Sequence, residues 1–482
     1  MAERYDAAII GAGADGLAAA ALLGRAGLRA VVLERQPGPG GVLVTKQFHP
    51  GFFASPFADD IAPIDDSLFW SLDLARHGAW AMPPAPETAA WPDKKLIADP
   101  FAELHATIDA RRGAALARAR LPSPPPSRWN PFATHREAPW PAEDWNHRAL
   151  ADLVAAFAPN QEQAALAAAG ALEGRAADPL AAGTALHLLA RPAGGVWRGG
   201  LGGLGIALAA AAREAVAEIA CGLEVSDIRS HKGRVAGVGH ADGSEVAARA
   251  VISTLDLKRT FLSMFPWSEL PKEAIGRIAH FRTAGSTARL LVALGERPDA
   301  APRGALHVMP DISRLVEAHA AWRGGVLAEH LPITLRFCSA SDPALAPIGA
   351  ATMTATVGCV PFTPFDGAWT HEKRDLLAQR IFAAIEEVLP GIRKNVLGFE
   401  LLVPPDLEEA LSATAGDLAG GEIAPDQMFA FRPGFARGGP RTPVDGLYLA
   451  GPSSAAGPLA TGTAGAIAAE ALIADLRAGR LS

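Results

Sequence analysis

Gly11, Gly13 and Gly16 stand between a short apolar run, Tyr5 to Ile10, and an alanine- and leucine-rich stretch that begins at Leu17. Glycines at this spacing serve a phosphate: the first permits a tight turn out of a strand, the second lets backbone approach a pyrophosphate, and the third lets a helix pack on the sheet. The phosphates would rest on the helix N-terminus, where free N–H groups and the macrodipole favour negative charge. Leu28 to Leu33 reads as a second strand ending in Glu34, 23 residues beyond Gly11. An acid there accepts hydrogen bonds from both ribose hydroxyls of an adenosine and disfavours a 2′-phosphate. With 49 glycines in the chain, the glycine spacing alone arises by chance. Strand, turn, helix, strand and acid together point to a dinucleotide.

The elements that must position this group follow in order. Gly38, Gly40 and Gly41 form a loop just past the acid, which suggests a ligand extending beyond the adenosine. From Ala54 to Arg191 no βαβ pattern appears. Asp65 to His77, Phe101 to Arg120, Asn160 to Gly170 and Leu180 to Leu189 read as helices, with a proline run at Leu121 to Pro126 and a Pro/Trp-dense stretch at Trp129 to Trp145. This block is therefore expected to be mainly helical. Gly194 to Gly205 then leads into a helix expected over Ile206 to Ile219, its glycines packing on a ligand or sheet. Leu223–Ile228, Arg234–Val238 and Glu245–Ser253 alternate like the strands of a meander, with Asp242-Gly243 as a hairpin signal. Residues 260–425 mix strands at Ala288–Gly295, Ile333–Cys338 and Met353–Val360 with a helix at His371–Leu389. Gly446–Gly451 reads as a buried strand, and a last helix opens near Thr461.

Length and composition bound the class. A chain of 482 residues exceeds one compact domain. The net charge of −7 leaves no basic footprint for nucleic acid. Cys221, Cys338 and Cys359 are scattered, without a CxxC pair or metal spacing, which argues against dithiol–disulfide chemistry and for a reducing compartment. The first strand starts at once, leaving no room for a signal peptide, so a cytoplasmic location is the default. Gly446 to Ala469 carries no charge, but its Gly, Pro, Ser and Thr residues keep it below the hydrophobicity of a membrane span, and it reads as buried turn and helix.

Three separated pieces carry a family resemblance: Gly11-Ala12-Gly13-Ala14-Asp15-Gly16-Leu17 with Glu34-Arg35 and Gly40-Gly41; the Gly202-Gly203-Leu204 helix leading to Leu223-Glu224-Val225 and Ala250 to Thr254; and Arg441 to Gly451. The chain resembles FAD-dependent oxidoreductases of the phytoene desaturase (carotenoid desaturase) type, which are broadly related to flavin amine oxidases. The resemblance implies an α/β fold, with a Rossmann-like FAD-binding domain of glutathione-reductase type, including the meander, and a discontinuous α+β substrate domain. The first would take residues 1–75, 190–265 and 430–482. The second would take 76–189 and 266–429, with a helical, proline-rich cap.

The resemblance also implies roles. Gly11, Gly13 and Gly16, with Ala14 and Asp15 between them, would line the pyrophosphate, and Glu34 would bind the adenosine ribose. Arg35, Gly40 and Gly41 would lie along the flavin side, Val225 would meet adenine through its backbone, Gly451 would stand near the ribityl chain, and Val42 and Leu459 are further cofactor-binding candidates. The helix opening at Thr461 and Gly462 would aim its positive end at the flavin. One departure stands out: many relatives have a His-Pro-Gly-Gly-Gly-like segment where this chain has Ser454-Ala455-Ala456-Gly457-Pro458-Leu459. Backbone-mediated FAD binding survives that change, while the substrate is left open.

Flavin supplies hydride chemistry, so no fixed acid or base is demanded. His49 lies near the flavin-side loop, and Phe52, Phe53, Phe69, Trp70, Phe362, Phe365 and Trp369 are the aromatic candidates for an apolar pocket. The leading expectation is a dehydrogenase or desaturase acting on a largely apolar, isoprenoid-like substrate, with quinone or oxygen as electron acceptor and peripheral membrane contact as an option. An amine or amino-acid oxidase, or an FAD-bound scaffold without turnover, are the alternatives.

Overall fold

The computed structural model describes residues 4–83, 85–98, 101–120, 143–192, 195–433, 435 and 439–481. The proline run and most of the Pro/Trp stretch, residues 121–142, lie outside the described residues.

The opening strand Tyr5–Ile10 is the centre of a seven-stranded sheet. It pairs in parallel with Ala30–Glu34 on one side, Ala7 beside Ala30, and with Glu245–Ser253 on the other, Ala7 beside Ala250. Ala30–Glu34 pairs in turn with Glu218–Cys221, and Glu245–Ser253 with Leu447–Leu449, again in parallel. Near-continuous apolar strands of this kind are buried on both faces. The long strand Glu245–Ser253 does double duty: Glu245 to Ala247 closes the antiparallel meander with Val225–His231 and Arg234–His240, and Ala248 to Ser253 runs into the parallel sheet.

Three alanine-rich helices, Ala14–Arg25, Leu201–Glu214 and Thr463–Arg477, cover one face. Small residues let their backbones come close. The charge-free run after Gly446 is the buried strand Leu447–Leu449, a loop, and the buried start of the closing helix. No described helix is long and apolar enough to cross a membrane.

The second sheet also has seven strands, ordered Val396–Leu402, Ala288–Leu294, Ala351–Val357, Ile333–Arg336, Leu306–Val308, Thr88–Trp91 and Lys94–Ala98. Thr88–Trp91 pairs in parallel with Leu306–Val308, so a hairpin from the block read as mainly helical completes a sheet built some 200 residues later in the sequence. The short hairpin has no strong alternation of its own, and its partner strand selects it. Helix His371–Val388 packs on this sheet through Leu377, Ile381 and Ile385.

Other expectations shift. The helix Ala102–Arg120 forms as read, and Asp65–His77 shortens to a helix over Asp66–Ser71 capped by the Asp65 side chain. Leu180–Leu189 becomes a 3-10 run at Thr184–Ala190. The helix expected over Ile206–Ile219 instead starts at Leu201 and ends at Glu214. Its glycines are tolerated because they touch a neighbouring segment: a Cβ on Gly202 would sit 2.7 Å from the Thr45 nitrogen, and one on Gly205 would sit 2.3 Å from the Leu43 carbonyl oxygen. Beyond it, Glu218–Cys221 is drawn into the parallel sheet.

Candidate flavin and substrate chamber

The opening strand delivers Gly11 at its end in a positive-φ conformation, and the first helix begins at Ala14 with no side chain capping its N-terminus. Its first N–H groups are therefore free for a ligand. The glycines divide the work. A Cβ on Gly16 would lie 2.0 Å from the Gly11 carbonyl oxygen, so Gly16 is the residue that lets helix and strand touch. A Cβ on Gly13 would meet no protein atom within 4 Å and would project into open space at the head of the helix, a cradle with room for a pyrophosphate.

Glu34 is buried at 9% exposure, and each of its carboxylate oxygens accepts a backbone N–H: Oε2 from Ala12 and Oε1 from Gln36, both at 2.8 Å. The acid therefore braces the glycine turn and the following loop, and each oxygen keeps a lone pair for a ribose hydroxyl. The Glu34 carbonyl accepts from Leu223 N–H at 2.9 Å, which holds the start of the meander, and with it Val225, beside the same spot. Gly40 N–H donates to the Ala12 carbonyl at 2.8 Å and folds the second glycine loop onto the turn.

Asp15 joins two helix starts. Its Oδ1 accepts from Gly465 N–H at 3.0 Å, in the first turn of the closing helix. Burial pushes its carboxyl up to about 6, against the lowering pull of the Gly465 and Ala464 N–H groups. Thr461 fixes the approach to the closing helix by donating its hydroxyl to the Ala62 carbonyl at 2.7 Å.

One chamber of about 1140 Å3 runs past this junction, larger than the roughly 300–1,000 Å3 usual for a small-ligand pocket. Of the cofactor-binding candidates from the sequence, Gly11, Gly13, Ala14, Asp15, Glu34, Arg35, Gly40, Gly41, Val42, Val225, Thr461 and Gly462 line it. Gly16, Gly451 and Leu459 do not. Gly16 stands behind the turn. A Cβ on Gly451 would strike the Thr254 carbonyl at 2.4 Å, and Leu459 is wholly enclosed in the helical core. From the segment after Gly451, Pro452, Gly457 and Pro458 reach the wall. Ser453 anchors that segment, accepting from Leu257 N–H at 3.0 Å and donating to the Gly420 carbonyl at 2.6 Å.

The chamber extends from the first sheet to the second. Its far wall holds Phe57, Asp59, Asp60, Glu173, Arg175, His187, His319, Trp322 and Thr356, none of which sequence reasoning singled out. None of the aromatic candidates named from sequence lines it, and Trp70 and Phe365 are 70% and 85% exposed. His49 packs instead against Phe52 and beside Gly398. The acids of the far wall are matched internally. Asp59 makes two 2.7 Å bonds to Arg289, which is fully buried; burial raises the Asp59 carboxyl, but the charge and hydrogen bonds of Arg289, with the Arg336 charge and a bond from Thr354, together hold the group below its usual range. Glu173 chelates the Arg336 guanidinium, with one bond of 2.9 Å. No group of three metal-ligating side chains occurs among the described residues.

Comparison with known proteins agrees with this geometry. The profile of the flavin containing amine oxidoreductase family matches residues 16–469. A rat protein named pyridine nucleotide-disulfide oxidoreductase domain-containing protein 2 is 27% identical over 99% of this chain and 94% of its own. A lycopene-forming phytoene desaturase from Pseudescherichia vulneris is 26% identical over 52% of this chain and 51% of its own. Among solved structures, an oxidoreductase from Methanosarcina mazei superposes with a TM-score of 0.59 at 18% identity, covering 98% of this chain and 99% of that one. An uncapped helix start, a buried acid bracing the glycine turn and a chamber shared by two sheets thus occur in a chain matched almost end to end, and the protein belongs to the flavin containing amine oxidoreductase family, with FAD as its cofactor.

Proposed function

We propose that this protein is an FAD-dependent dehydrogenase that removes a hydride from a C–H bond of a small substrate held against the second sheet. The observation that carries this reading is the single chamber that joins the glycine turn to the far wall with no protein layer between. When bound, FAD supplies a ring that accepts the hydride. The protein's own part is positional. Glu34 takes the ribose, the open helix start at Gly13 to Asp15 takes the pyrophosphate, and the closing helix presents its N-terminal partial charge beside Thr461 and Gly462. Loops at Gly416 to Ala424 and at Pro452 close the chamber. They are tied together by Arg432, whose buried guanidinium donates to the carbonyls of Pro452, Gln427 and Gly421, among others.

Phytoene desaturases among the relatives support an apolar, isoprenoid-like substrate, although they match about half of this chain. The far wall, with its charged residues and two histidines, favours a substrate with a polar end. Thiol–disulfide exchange, suggested by the name of the rat relative, finds no support here. No cysteine lines the chamber among the described residues, and burial pushes the thiols of Cys338 and Cys359 up to about 12.

The test is anaerobic titration of the purified yellow protein with candidate substrates, followed by the loss of flavin absorbance and its return on adding quinone or oxygen. A protein that stays colourless after reconstitution with FAD would refute the proposal. A yellow protein never bleached by any C–H donor would favour a non-catalytic scaffold.

A further inference from the structure

Arg175 and His187 meet at the far wall of the chamber. The Arg175 side chain donates to the Ala171 carbonyl at 3.1 Å and to the Ala190 carbonyl at 2.6 Å, at the ends of the helix Gln161–Ala171 and the 3-10 run Thr184–Ala190. These bonds use two of the five guanidinium N–H donors. No carboxylate lies within 4 Å of it among the described residues, whereas Asp59 and Glu173 are chelated by Arg289 and Arg336, and Asp60 stands 3.9 Å from Arg336. Asp178 also lines the wall but turns an oxygen to the Leu180 N–H. Glu173 and Asp417 lie close enough to act on the Arg175 charge, but Glu173 is held by Arg336 and Asp417 accepts from the N–H groups of Ala284, Ala419 and Gly421, so the spare Arg175 donors are left for whatever fills the chamber.

His187 is 5% exposed, and its Nδ1 is enclosed without a hydrogen-bond partner. Its Nε2 is not sealed in this way, and the residue lines the chamber. Burial, helped by the Arg175 charge, brings the imidazole down to about 3, so the ring is neutral at physiological pH. A neutral ring that keeps its lone pair on the enclosed Nδ1 carries its N–H on Nε2, the nitrogen that is not sealed. A guanidinium with spare donors beside an imidazole N–H, in a site shielded from bulk water, recognises an anionic oxygen pair.

We infer that Arg175 and His187 form the polar end of the substrate site and select a substrate that carries a carboxylate. The inference rests on the proposed dehydrogenase reading and narrows its substrate class. Both residues are specificity-determining; neither is assigned a proton-transfer role.

The experiment uses the FAD-loaded protein and three probes that differ in one group: benzoate, benzylamine and benzyl alcohol. Binding is read from perturbation of the flavin spectrum. Benzoate is expected to bind at least about tenfold more tightly than the other two, because a charge-assisted bond replaces a neutral or repulsive one. His187→Phe, which keeps an aromatic ring but no donor, is expected to weaken benzoate about tenfold and benzyl alcohol by less, so that the preference for benzoate shrinks. Arg175→Gln should abolish the preference, with Arg175→Lys restoring part of it. Because Arg175 also bonds two helix ends, its variants count only with flavin content and melting temperature at the wild-type level, and the probe series on unaltered protein stands without them. Equal binding of the three probes to a yellow protein, or an undiminished benzoate preference in His187→Phe, overturns the inference while leaving the dehydrogenase reading intact. Failure to hold FAD overturns that reading instead.

Discussion

Replacing Asp15 by Asn tests the junction between the two helix starts. The amide oxygen can still accept from Gly465 N–H, so the change removes the ionisable proton and little else. The folded carboxyl is raised from 3.8 to about 6 by burial. For an acid shifted upward, the folded state keeps a proton that the unfolded chain has released, so stability falls as pH rises between these values and the cost is complete above about 6. With these two values the cost is about 1.6 kcal/mol at pH 5 and about 3 kcal/mol at pH 8. Asn cannot titrate, so its stability relative to Asp should improve by about 1.4 kcal/mol between pH 5 and pH 8. Asp15 keeps an edge toward the chamber, and water there in the FAD-free protein makes this an upper value. Urea unfolding of both FAD-free proteins across this range measures the difference. A constant or shrinking difference would falsify the assignment of Asp15 as a buried, proton-holding acid. The pyrophosphate brings negative charge to the same place, so FAD binding near pH 7 should take up protons in the wild type and not in Asp15→Asn, as read by calorimetry in buffers of different ionisation enthalpy.

Other outcomes follow from single contacts. Gly13→Ala should unfold like the wild type but lose FAD, because its Cβ fills only ligand space, whereas Gly16→Ala should also melt lower, since its Cβ meets the Gly11 carbonyl at 2.0 Å; thermal melts and flavin fluorescence separate the two. Glu34→Ala should reduce flavin occupancy and destabilise the FAD-free protein by about 2–6 kcal/mol, because two backbone N–H groups lose their acceptor at about 1–3 kcal/mol each. Glu34→Gln keeps one acceptor and should fall between Ala and wild type in flavin content. Asp59→Asn should cost about 3–5 kcal/mol in urea unfolding by leaving the buried Arg289 charge uncompensated, and pairing it with Arg289→Met should recover much of that loss.

The cofactor end of the chamber was legible because its signals are local. Gly11, Gly13 and Glu34 act through turns and a strand end whose spacing the backbone dictates, and the meander announces itself by alternation and an Asp-Gly turn. Where long-range pairing decides, local reading failed. The hairpin Thr88–Trp91 and Lys94–Ala98 is a strand pair because Leu306–Val308 offers it an edge, and Glu218–Cys221 leaves the expected helix to pair with Ala30–Glu34. Leu459 looked like a cofactor neighbour by position, but the chain turns it into the helical core.

By itself, then, the sequence determined the dinucleotide turn and the acid that follows it, since these depend on neighbours within about 30 residues of one another in a βαβ unit, whereas the strand order of the first sheet was set by long-range pairing with Glu218–Cys221, Glu245–Ser253 and Leu447–Leu449. Only the tertiary structure decided what the chamber can hold. Asp59, Arg175, His187 and Trp322 come from distant parts of the chain, and they acquire their chemistry from burial and from one another. The donors left spare on Arg175 arise because Arg336 has taken Glu173 and backbone N–H groups have taken Asp417, a matter of distance in space that no spacing along the chain records.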